Sequence, residues 1–133
     1  MTLLIATVGL VSVLSATAVA AWSVSGSGDA AAAAASVPAG NTPSAVASGS
    51  SVTVTWPAAT LSSGGSLEGY VLARENVATK AVVSAEANCS GTITKTTCTE
   101  LNVPAGTWTY TDTPVQLKWK GTASPASNSV TVE

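Results

Sequence analysis

Cys89 and Cys98 are the only cysteines in the chain, and their chemistry can be argued most directly. Ser-Gly-Thr-Ile-Thr-Lys-Thr-Thr lies between them. Redox-active dithiols sit closer together, as C-x-x-C beside a helix N-terminus. Zinc needs four ligands, and two thiolates in a chain with no histidine cannot complete a tetrahedral site. The chemistry left is a structural disulfide, expected behind a translocation segment. Closing a loop of about ten residues should add roughly 2–3 kcal/mol by restricting the unfolded chain.

The other reactive groups are sparse. The acids are Asp29, Glu68, Glu75, Glu86, Glu100, Asp112 and Glu133. Glycoside hydrolysis needs two of them facing across a cleft about 5–10 Å wide, which small domains rarely build. Without histidine there is no Ser-His-Asp triad and no H-E-x-x-H metal helix. No glycine-rich phosphate loop is present, since Gly64-Gly65 falls in a turn between strand-like runs. Five basic against seven acidic side chains give a net charge of −2, which offers no surface for nucleic acid. The expectation is a non-enzyme with no catalytic, cofactor or metal residues. For binding, Lys118-Trp119-Lys120 stands out as an aromatic between two cations, a candidate partner contact; the alternative is that Val115, Leu117 and Trp119, which share a face by alternation, simply cap the sandwich.

Three unlike stretches must carry these residues. Leu3 to Trp22 is about twenty residues without charge, long enough to cross a bilayer as a helix. Ala18-Val19-Ala20 also provides a signal-peptidase site, so residues 1–22 are expected to be a signal peptide or a transmembrane helix. Residues 23–42 read as a linker rich in Ala, Gly and Ser, with a run of alanines from Ala30 to Ala35 and breakers at Pro38 and Gly40. From Pro43 onward short alternating runs of Val, Thr, Trp and Tyr are separated by turn residues, an all-β texture. Ser51 to Trp56 puts Val52, Val54 and Trp56 on one face. Gly69 to Arg74 and Val82-Val83 are further strands, and Thr107 to Val115 is the clearest run.

V-x-V-x-W-P at Val52 to Pro57, G-Y-x-L-x-R at Gly69 to Arg74, P-A-G-T-W-T-Y at Pro104 to Tyr110 and S-P-A-S-N-S-V-T-V at Ser124 to Val132 resemble a fibronectin type III domain. Their order matches strands B, C, F and G of that family, over residues 43–133. The resemblance implies a seven-stranded, immunoglobulin-like all-β sandwich behind one N-terminal hydrophobic helix, with Pro43 to Ala47 as strand A. It makes Trp56 and Tyr70 core residues of strands B and C, and Trp108 or Tyr110 the aromatic that opens strand F. Asp112 departs from the pattern, because an inward-facing Val is usual there. A buried unpaired carboxylate is costly, so a bulge or an edge that lets Asp112 reach solvent or a backbone N–H is expected; a cation site is the sharper alternative.

The functional expectation is a secreted or membrane-tethered module of the cell envelope, structural or protein-binding, with an envelope protein or polysaccharide as partner. Two alternatives accompany it. One is a subunit of an extracellular fibre or pilus that self-assembles; the run ATAVAAWSVSGSG is similar to the signal junction of secreted bacterial matrix-fibre proteins. The other is a carbohydrate-binding accessory module, for which Trp119, and Trp108 if it is not core, would be the platform.

Overall fold

The computed structural model describes residues 35–133. The helix expected over residues 1–22 lies outside the described residues, as does most of the linker. Strand β1 (Ser44–Ser48) turns into β2 (Ser51–Thr55), followed by β3 (Gly69–Asn76), β4 (Val82–Ser84), a 3-10 turn (Ala87–Cys89), β5 (Thr97–Glu100), β6 (Gly106–Gln116), β7 (Trp119–Lys120) and β8 (Val130–Val132). One antiparallel sheet has the order β1-β2-β5, and the other runs β4-β3-β6 with β7 and β8 both paired to β6. The last two are one strand line interrupted. Between them the Ser124 and Ser127 N–H groups still donate to Asp112 and Tyr110 carbonyls, while Pro125 has no N–H to give. Counted that way the sandwich has seven strands, as the resemblance implied.

Period-two alternation explains the core. Val52, Val54 and Trp56 face inward from the first sheet, and Tyr70, Leu72, Trp108 and Tyr110 meet them from the second. The rings of Trp56 and Tyr70 meet edge to face at 5.5 Å. Outward-facing threonines pair across strands, Thr53 with Thr99 and Thr55 with Thr97. Where the two sheets meet, the Asn128 side chain accepts from the Ala45 N–H and donates to the Ala45 carbonyl, so β1 is fastened to the segment leading into β8.

The domain starts earlier than Pro43. Residues 36–42, expected as the end of a linker, form a strap along the sandwich. The Ser36 N–H donates to the Ser62 hydroxyl, the Ser62 N–H donates to the Ser36 carbonyl, and the Gly40 N–H donates to the Thr122 carbonyl. The Asn41 amide reaches the Pro57 and Ala58 carbonyls. Two glycines permit this closeness: a Cβ on Gly121 would overlap the Pro38 carbonyl, and one on Gly40 would run into Asp112. Spacer-like composition did not reveal the strap because its bonds are to loops and strand ends.

Candidate functional site

The cysteines are joined, with Cys89 on the 3-10 turn and Cys98 on β5, Cα atoms 5.4 Å apart. Both are buried, so the bridge closes the segment between them onto the edge of the first sheet. Above the same core lies a polar cluster. Glu100 on β5 forms an ion pair with Arg74 on β3, accepts from the Tyr110 hydroxyl on β6 at 2.9 Å, and accepts from the Glu86 N–H at 2.7 Å. Arg74 also lies 5.1 Å over the Trp108 ring. Burial, with help from the bond to Glu100, holds the Tyr110 hydroxyl well above the ordinary phenol range. Glu100 and Tyr110 are fully enclosed and Arg74 nearly so, which leaves no route for a substrate. The cluster ties one sheet to the other. Alternation carried the signal for it, since Arg74 shares a face with Tyr70 and Leu72, and Glu100 shares one with Cys98.

All four expected core aromatics, Trp56, Tyr70, Trp108 and Tyr110, are buried. Their hydrogen bonds divide the labour at the start of β6. Trp108 donates from Nε1 to the Pro104 carbonyl four residues upstream, the kind of contact that a corner tyrosine makes in such sandwiches, while Tyr110 turns to Glu100. Trp108 is therefore not available as part of a sugar-stacking platform.

Asp112 differs from expectation. Strand β6 is regular there, in register with Leu72 and bonded to Ser124 on its other side, so no bulge lets the side chain escape. Its carboxylate is fully buried and neither oxygen has a hydrogen-bond partner. The Gly40 backbone covers it, which is how a strand near the sheet edge keeps a carboxylate from water. Burial pushes the carboxyl above the ordinary range; the nearby Ser124 hydroxyl and the Asp112 and Asn41 N–H groups pull the other way, none in hydrogen-bonding geometry. Calcium would want several oxygen ligands, and among the described residues no group of three or more His, Cys, Asp or Glu side chains gathers to hold a metal ion.

Lys118, Trp119 and Lys120 lie at the β6–β7 hairpin, all exposed. The face shared by Val115, Leu117 and Trp119 does not persist: Val115 is buried, while the turn at Leu117 and Lys118 swings the other two into solvent. Glu68, which sequence reasoning left aside, braces this turn. Its carboxylate accepts the Leu117 N–H at 2.7 Å, and its own N–H donates to the Gln116 side chain at 2.8 Å. A groove of about 460 Å³ runs beside the hairpin between Trp119, Gln116, Lys120, Leu61 and Val37.

By sequence, the chain matches no protein-family model and no curated protein. Its fold matches solved structures. A crystal structure of three consecutive titin domains aligns at a TM-score of 0.62 and 15% identity, over 74% of this chain and 33% of that one. A single titin module from human cardiac muscle aligns at 0.53 and 13% identity, covering 74% and 91%. A Fn3-like protein from Clostridium thermocellum aligns at 0.50 and 19% identity, covering 71% and 91%. The chain thus spans about a third of the titin fragment, and the sandwich is of the fibronectin type III kind.

Proposed function

We propose that the chain is a non-enzymatic module working outside the cytoplasm, at or near the cell envelope, where the sandwich is a rigid carrier for its exposed hairpin. The observation that carries this reading is the buried Cys89–Cys98 disulfide, because such bridges persist in oxidising compartments. It is supported by the internal use of the polar groups: Arg74, Glu100 and Tyr110 satisfy one another instead of facing a cleft. Fibronectin type III-like sandwiches graft their contacts onto end loops, and the β6–β7 hairpin carries the two most exposed large apolar side chains among the described residues, Leu117 and Trp119.

Thiol trapping in intact cells, followed by mass spectrometry of the fractionated protein, tests the reading. A bridged pair in the envelope or medium is expected. Free Cys89 and Cys98 in a soluble cytoplasmic pool would overturn it.

A further inference from the structure

We propose that the β6–β7 hairpin tip is a wedge for the surface of an anionic lipid bilayer, seating Leu117 and Trp119 among the headgroups with Lys118 and Lys120 against the lipid phosphates.

Leu117 and Trp119 are 79% and 73% exposed, the most exposed large apolar side chains among the described residues. Leu117 is the first residue of the two-residue turn and Trp119 the first residue after it, so both stand at the end of the hairpin. Leu117 also holds a left-handed backbone, φ 54°, where Gly, Asn or Asp is the usual choice in a tight hairpin. A leucine there gains no packing in the folded domain and adds backbone strain, which points to a use at the tip itself. The turn is held ready for contact, since Glu68 fixes the Leu117 N–H and Gln116 fixes Glu68.

The shape selects the partner. A stable protein interface needs on the order of 800 Å² from each side, whereas the strongly exposed apolar side chains at this hairpin are two, Leu117 and Trp119. A bilayer interface asks for much less. Tryptophan concentrates at headgroup level, aliphatic side chains reach just below, and lysines extend back to anionic phosphates. Charge complementarity agrees: two of the chain's five cations are at this turn although the net charge is −2. Glu68, the carboxylate at its base, is occupied by the Leu117 N–H.

The experiment uses the full chain and vesicles of phosphatidylcholine, with or without phosphatidylglycerol, carrying brominated acyl chains as quenchers. Subtracting the emission of a Trp119→Phe variant leaves the signal of Trp119 alone, so binding through any other segment does not score. On anionic vesicles that signal should shift to the blue and be quenched. Replacing Lys118 and Lys120 by Gln should raise the lipid concentration for half-quenching roughly 30-fold, from the attraction each lysine feels near an anionic surface. A Trp119 signal that stays water-like at every lipid concentration, as expected if the tip serves a protein or a polysaccharide, overturns the proposal. So does quenching equal on neutral vesicles and indifferent to the lysines. The outcome is separable from the compartment reading, because reduced cysteines would sink that one and leave this one standing.

Discussion

Asp112 is a buried carboxylate without a hydrogen-bond partner, and replacing it by Asn keeps its shape while removing its charge. Its pKa is raised in the folded protein, chiefly by burial, so the folded state holds the proton over a range where the unfolded chain has released it. The unfolded value is near 3.9. Stability contributed by this group is therefore fully present below about pH 4 and is lost as pH rises through the folded value, at up to about 1.4 kcal/mol per pH unit within that window. A buried group left unsatisfied costs about 1–3 kcal/mol, and more if it is charged. Asp112→Asn leaves its amide as unpartnered as the neutral carboxyl and differs from the wild type only by the charge, so it should match the wild type near pH 4 and be the more stable at pH 7, the difference growing by up to about 1.4 kcal/mol per pH unit, or about 4–8 °C in Tm for each kcal/mol. Urea denaturation followed by tryptophan fluorescence, at several pH values for both proteins, gives the difference directly. Taking that difference cancels the contributions of the other acids. A variant less stable than the wild type at pH 7, or a difference that does not grow from pH 4 to pH 7, would refute the reasoning.

Glu100→Gln leaves Arg74 buried without its countercharge and should cost about 3–5 kcal/mol in urea denaturation; replacing Arg74 by Met and Glu100 by Leu together removes the stranded charge but leaves the Tyr110 hydroxyl and the Glu86 N–H without their acceptor, so it should recover only part of that loss. Reducing the Cys89–Cys98 bridge, or changing both to Ser, should lower stability by roughly 2–3 kcal/mol, read as a fall in the urea midpoint at an m-value close to the native one. Gly121→Ala should displace the strap from the Pro38 carbonyl, and limited proteolysis should then cut within residues 36–42 while the disulfide-bonded remainder stays intact.

How much of this was legible in the sequence depends on whether alternation held. From Thr107 to Val115 it does, so strand β6 and the inward aromatics Trp108 and Tyr110 could be read residue by residue. The same rule placed Asp112 inward, and the penalty for burying a charge argued it back out; what alternation could not include was a separate segment, the strap, closing over it. Past Gln116 the rule fails because a two-residue turn resets the facing of every side chain after it, so Trp119 looked like a continuation of the core face. Glu100 and Arg74 were not read as a pair, because their contact is between sheets and nothing in a local pattern says which strands will face each other across a sandwich.

The Asn128 clasp on Ala45 has a consequence for association between molecules. A strand at a sheet border offers unpaired N–H and carbonyl groups to any extended chain that drifts past, the route by which β proteins stick together. Near the start of that border both groups of Ala45 are taken by one side chain of the same molecule. A neighbour cannot add a continuous ladder along β1 without first prising off that amide. This one asparagine works as a guard against runaway stacking along that border.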